Sequence, residues 1–215
     1  MNELQKAILQ TLAYADVFDY PLILPELHQF LIKEKASIKD LEKATIEFKE
    51  IARDGQFFFL KNRQKIVRIR QKRFYLSQSK LKIARKVAKY LKVIPYIKMV
   101  AITGNLAMNN TEKKDDIDLL IITGKNRLWL TRFLTVLLVE LVANRRRPRE
   151  TNVEDKICLN MFLDEDHLEI PEKEQDLFSA HEVCQLKPTW SKDNVYQEFI
   201  TQNQWYQKFL PNWKP

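Results

Sequence analysis

The sequence predicts an α/β (α+β) protein in two parts: three helices and a hairpin, then a mixed sheet flanked by helices. Three observations carry this reading. Apolar residues recur at helical spacing from Leu4 to Ile51 and then give way to two short β-rich runs. From Lys98 onward the pattern changes to strand, loop, helix, strand. Glycine is scarce, 3 in 215 residues, so the elements should be well bounded.

In the first part, Leu4, Ala7, Ile8, Thr11, Leu12 and Ala15 give an amphipathic helix. Asp19-Tyr20-Pro21 is a turn, and Pro25 suits the first turn of a second helix carrying Leu27, Phe30 and Leu31. Ser37, with Asp40 three residues on, reads as the N-cap of a third helix bearing Leu41, Ala44, Phe48 and Ile51. Gln56 to Leu60 and Ile66 to Arg70 then flank the polar Lys61-Asn62-Arg63-Gln64 as a predicted hairpin. This order is that of a winged helix, so residues 1–75 are expected to form a winged-helix-like domain. A linking helix follows, with Leu81, Ala84, Val87, Ala88 and Leu91 on one face. Lys80, Lys82, Arg85, Lys86, Lys89 and Lys92 take the other, and Pro95 ends it.

In the second part, Lys98 to Thr103, Asp116 to Thr123 and Lys156 to Leu163 read as strands. Gly104 to Asn110 is a loop turning into a short helix. Arg127 to Val142 is a helix apolar nearly all round, so it is expected to pack on more than one side. Two more helices are expected, roughly Glu174 to Leu186 and Asp193 to Phe209.

The two cysteines, Cys158 and Cys184, lack any metal-ligand spacing and read as buried free thiols. The first residues lack the order of a signal peptide, and the apolar stretch Leu128 to Ala143 is broken by Arg132 and Glu140. No membrane association is expected, and the cytoplasm is the expected compartment. The net charge of +8 is unevenly spread: Gly55 through Asn110 holds 14 Lys or Arg and no acid. Such a run reads either as a solvated surface or as a polyanion-binding one.

The chemistry concentrates in Val100 to Asn105 and Asp115 to Leu119. Strand alternation places Asp116 and Asp118 on one face, about 6.6 Å apart along the axis. Two such carboxylates repel, and a divalent cation relieves that; Mg²⁺ (or Mn²⁺) takes one or two carboxylates plus phosphate oxygens. Gly104, lacking a side chain, lets a phosphate approach the backbone at a helix N-terminus. The arrangement of apolar strand, Gly-polar pair, short helix and Asp-x-Asp-Leu strand resembles the nucleotidyltransferase superfamily, with its DNA polymerase β-like fold. The match covers residues 96 to 165, and the chain is also similar to bacterial nucleotidyltransferase-domain proteins with a winged-helix-like front part. Residues 76–215 are accordingly expected to form a nucleotidyltransferase-like domain with C-terminal helices.

The resemblance implies Mg²⁺-dependent transfer of a nucleoside monophosphate from an NTP to a hydroxyl acceptor. It implies that Asp116 and Asp118 are the catalytic, metal-binding acids, and that Gly104 and Asn105 bind nucleotide. The family's usual serine is Asn105 here. Its third carboxylate has Asn160 at the expected position, with Asp164 just beyond as a substitute. A non-catalytic protein that keeps the fold to bind nucleotide or nucleic acid is the alternative. Nucleic acid, RNA or DNA, is an expected partner of the basic region, contacted by Lys61, Arg63 and Lys65 at the hairpin tip. Lys82, Arg85, Lys86 and Lys89 would extend that surface. The run Arg145 to Arg149 reads as a helix-terminus stabiliser or a phosphate contact, and His181 as a packing or surface residue.

Overall fold

The computed structural model describes residues 1–215, the side chain of Glu47 excepted. The protein is a mixed α+β structure with two sheets. It divides into two compact units: residues 1–72, 172–184 and 204–215 in one, residues 73–171 and 185–203 in the other.

The first unit starts with α1 (Glu3–Asp16), whose Asn2 cap and Gln5 bond reciprocally to each other's backbone amides. Next come β1 (Leu22–Ile23), α2 (Leu24–Gln29), with Pro25 in its first turn, and α3 (Ile38–Glu47). Ser37 caps α3 by accepting from the Asp40 amide at 3.2 Å. β2 (Ile51–Asp54) and β3 (Phe57–Leu60) complete an antiparallel sheet in the order β1-β3-β2.

The hairpin therefore lies earlier than the sequence predicts. Its turn is Gly55-Gln56, Gly55 taking φ +58°, and Phe57 pairs with Asp54. Ile66 to Arg70, predicted as the return strand, opens the long helix α4 (Lys65–Leu91) instead. A short apolar run satisfies either period, and here Ile66 and Val67 pack with Phe59 from the helical register. Lys61 and Arg63 consequently lie in the turn before α4, and Lys65 begins the helix. In the same unit His181, on α7 (Leu177–Gln185), is buried and stacked on Tyr14, with ring centroids 4.1 Å apart, and on Phe30.

The second unit is built on β4 (Ile97–Ile102), β5 (Ile117–Thr123), β6 (Ile157–Asp164) and β7 (Lys187–Ser191), in the order β6-β5-β4-β7. β4 runs antiparallel to β5 and β7, and β6 runs parallel to β5. The sequence reading missed β7 because Lys187-Pro188 looks like a turn; proline is tolerated on an edge strand. The predicted last helix is also shorter: α8 (Val195–Gln202) gives way to a 3-10 turn at Gln204–Lys208. Leu81, Ala84, Val87, Ala88 and Leu91 of α4 join Val100, Ile102, Ile117, Leu119 and Ile121 in one core.

Two further expectations are corrected. Lys80, placed on the solvent face of the linking helix, is 2% exposed. α6 (Leu128–Val142) does not pack on several sides; it buries Thr131, Thr135 and Val139 at successive turns. Trp129 stays 77% exposed and Leu141 83%, with Phe133 and Leu137 exposed between them. Among the described residues, no helix is long and apolar enough to cross a membrane.

Candidate functional site

β4 and β5 meet at their open end around Gly104 and Asp118. The Thr103 amide donates to the Asp118 carbonyl at 3.1 Å, extending the ladder one residue past β4. Gly104 then turns with φ +61° into the four-residue helix α5 (Gly104–Ala107). A Cβ at this position would stand 3.1 Å from Asp118 Oδ2. Glycine thus serves here both for its left-handed backbone and for the close approach.

The loop from α5 to β5 is held from behind by one face of α4. Arg73 pairs with Glu112 at 2.7 Å, lowering the pKa of that carboxyl by a direct hydrogen bond. Ser77 shares a 2.9 Å hydrogen bond with the Thr111 hydroxyl. The buried Lys80 ammonium donates to the carbonyls of Lys113 and Asp115 and to Asp155, at 3.0, 2.7 and 2.7 Å. Three acceptors satisfy all three of its protons. Asp115 in turn accepts from the Glu112 amide at 2.9 Å, and Asn105 Nδ2 lies 3.4 Å from its carboxylate. Asn105 itself is exposed.

Asp116 and Asp118 come together as the alternation predicts. With Cys158 they form a cluster in which one ligand atom of each lies within 4.8 Å of the others. Asp118 pairs with Cys158 across the parallel β5–β6 ladder. Burial, and then the charge of Asp116, push the Asp118 pKa up. Burial and the neighbouring Asp118 carboxylate push the Cys158 thiol up to about 12. Arg146 donates to Asp116 Oδ2 at 2.7 Å and reaches within 4.0 Å of Cys158 Sγ. The segment before it is tied to β6, the Arg146 amide bonding to the Ile157 carbonyl at 2.9 Å.

Of the two residues considered for a third acid, Asn160 sits at an irregularity of β6 and Asp164 lies at the far end of the ladder. The ladder steps from Leu119↔Leu159 to Leu120↔Met161, so Asn160 is the extra residue of a bulge and is exposed. Asp164 pairs with Thr123 at the far end, five residues or about 16 Å along the strand from Asp118. Its carboxylate caps the next turn by accepting from the Asn126 amide at 2.8 Å. The group that does cluster with Asp116 and Asp118 is Cys158, which is half-buried rather than a core thiol.

The basic run is less uncompensated than its composition suggests. Arg63 pairs with Asp16 and Asp19, Arg70 with Glu26, Arg73 with Glu112, Lys80 with Asp155, and Lys98 with Asp193. Arg63 therefore does not stand free at a hairpin tip. Lys61 and Lys65 are exposed, as are Lys82, Arg85, Lys86 and Lys89 on α4, and none has an ion pair among the described residues. Of the later arginine run, Arg145 and Arg147 pair with Glu140 of α6.

No protein-family model matches the chain, and no curated protein matches it. A solved structure described as the crystal structure of the toxin-antitoxin with AMP-PNP aligns with 57% of this chain and 87% of its own. The identity is 15% and the TM-score 0.34, a likeness that assigns neither family nor ligand.

Proposed function

We propose that the second unit is a nucleotidyltransferase-type domain that binds an NTP with Mg²⁺ or Mn²⁺ and transfers its nucleoside monophosphate to a hydroxyl acceptor. The observation that carries this reading is Gly104 set against the Asp118 carboxylate, with Asp116 converging on the same point. The donor set fits the cation: two carboxylates, completed by phosphate oxygens, suit Mg²⁺. When bound, the ion neutralises triphosphate charge and acidifies the attacking hydroxyl. Asp116 and Asp118 hold it, and Gly104 leaves room for the phosphates beside them. Arg146, which faces Asp116 in the free protein, is the cation at hand for a phosphate oxygen once a metal takes its place. The first unit's element order and three-stranded sheet support reading it as winged-helix-like.

A second reading, nucleotide binding without transfer, is favoured by one observation. The group that clusters with the two acids is a thiol held near pKa 12, neutral at physiological pH and no base. The experiment incubates the full chain with α-labelled NTP, Mg²⁺ and candidate RNA, protein and small-molecule acceptors, beside a thermal-shift titration. Transfer by the wild type that is lost in Asp118→Asn supports the enzyme. Metal-dependent nucleotide binding with no transfer, even in Cys158→Asp, supports the second reading. Absence of any Mg²⁺-NTP shift sinks both.

A further inference from the structure

On the sheet face lined by Leu119 and Ile121, α4 and the edge strand β7 border a groove of about 560 Å³. Leu81, Ile102, Leu186 and Pro188 give it apolar walls, while Arg85 and Lys187 bring two cations. None of the described residues lining it is acidic. At one end Phe74 lines the groove and is 46% exposed; it meets Tyr75, 75% exposed, edge-on at 5.8 Å. Outside the groove's own lining, Lys92, two helical turns past Arg85, lies 5.6 Å from the ring centroid of Trp190, next to Thr189 on β7. Lys192 lies 5.8 Å from the same ring. From Phe74 to the C-terminal end of α4 at Leu91, just before Lys92, is about 26 Å along the helix axis.

We propose that this groove binds single-stranded nucleic acid. Exposed aromatic rings at one end can stack on bases, which every base permits regardless of sequence. Cations spaced along both walls match a phosphate backbone. The indole of Trp190 holds two ammoniums near one ring, adding positive charge close to the groove before any ligand arrives. Apolar walls exclude water from the strand without reading base edges. A duplex hides its base faces and gains nothing from Phe74 or Tyr75. The binding stands apart from the Asp116–Asp118 chemistry, because it needs neither metal nor nucleotide.

The test is fluorescence anisotropy with the full chain in EDTA, without NTP, across a salt series. The probes are a labelled 12-mer single strand, the same sequence as a duplex, and an abasic 12-mer. Tighter binding of the base-bearing strand than of the other two is expected. Phe74→Ala, an exposed site, should weaken that strand at least about fivefold, the loss of one stacked base, and leave the abasic probe unchanged. Arg85→Gln should reduce the log–log salt slope by about 0.7. Equal affinity for duplex, no effect of Phe74→Ala, no binding at low salt, or a loss seen only in a Lys61→Gln, Lys65→Gln variant would each overturn the proposal.

Discussion

Gly104, just past the end of β4, stands close against Asp118 of β5: a Cβ on Gly104 would lie 3.1 Å from Asp118 Oδ2. Gly104→Ala should therefore act twice. Forcing an L-residue to φ +61° costs about 1–2 kcal/mol. The added methyl also presses on the carboxylate, which must give by a few tenths of an ångström. The expected outcome is a fold that survives with a lower denaturant midpoint and a reduced or absent thermal shift with Mg²⁺-NTP. A variant that is destabilised yet keeps the full shift would detach Gly104 from the site.

Lys80→Met should be among the most destabilising single changes in the second unit. It leaves the carbonyls of Lys113 and Asp115 without their donor and Asp155 without its charge partner. Asp155 is 48% exposed and keeps its water, so the cost is chiefly the lost charge-assisted hydrogen bonds to the two carbonyls, about 1.5–3 kcal/mol. Because those carbonyls belong to the loop that delivers Asp116, the metal-dependent shift should fall as well. Urea melts with and without Mg²⁺-NTP separate the two effects.

The first unit should lose stability in mild acid. Burial of His181 depresses its pKa to about 4 from 6.5. A depressed folded-state value means that the unfolded chain binds the proton more readily. The stabilisation is therefore complete above pH 6.5 and is lost as the pH falls toward 4, by on the order of 3 kcal/mol. His181→Phe, which keeps the stack on Tyr14, should flatten that acid limb when melts at pH 7 and pH 5 are compared. An unchanged limb would mean that another group carries it.

Cys158 should alkylate slowly despite being half-buried rather than enclosed. Burial first, and then the neighbouring acids, hold its thiol protonated, and only the thiolate is a good nucleophile. Iodoacetamide labelling at pH 7.5, read by mass spectrometry, should be sluggish in the wild type and faster in Asp118→Asn. Rapid labelling of the wild type would contradict the electrostatic reading of the cluster.

Asp116, Asp118 and Gly104 were legible in the sequence because strand alternation and the absence of a side chain are local facts. That Cys158 joins the two acids was not. Asn160 and Cys158 share one parity along the strand, and the polar residue looks like the better candidate. A bulge at Asn160 depends on pairing with β5, which no local pattern announces. Arg146 and Lys80 were hidden for a related reason, their partners lying 30 and 75 residues away. The hairpin was misplaced because Ile66 to Arg70 satisfies both periods, and packing on Phe59 decided between them. The charge run illustrates the same limit: composition counted its cations but not the distant acids that pair with five of them.

The outward-turned face of α6 makes the protein its own optical reporter. Of four tryptophans, Trp205 and Trp213 are 8% and 5% exposed and Trp190 is half-buried, whereas Trp129 is 77% exposed. Emission from Trp129 should sit at the red edge and be the fraction that acrylamide quenches first. Whatever shields that helix in solution will announce itself as a blue shift and a loss of quenching, without a label and without a mutation.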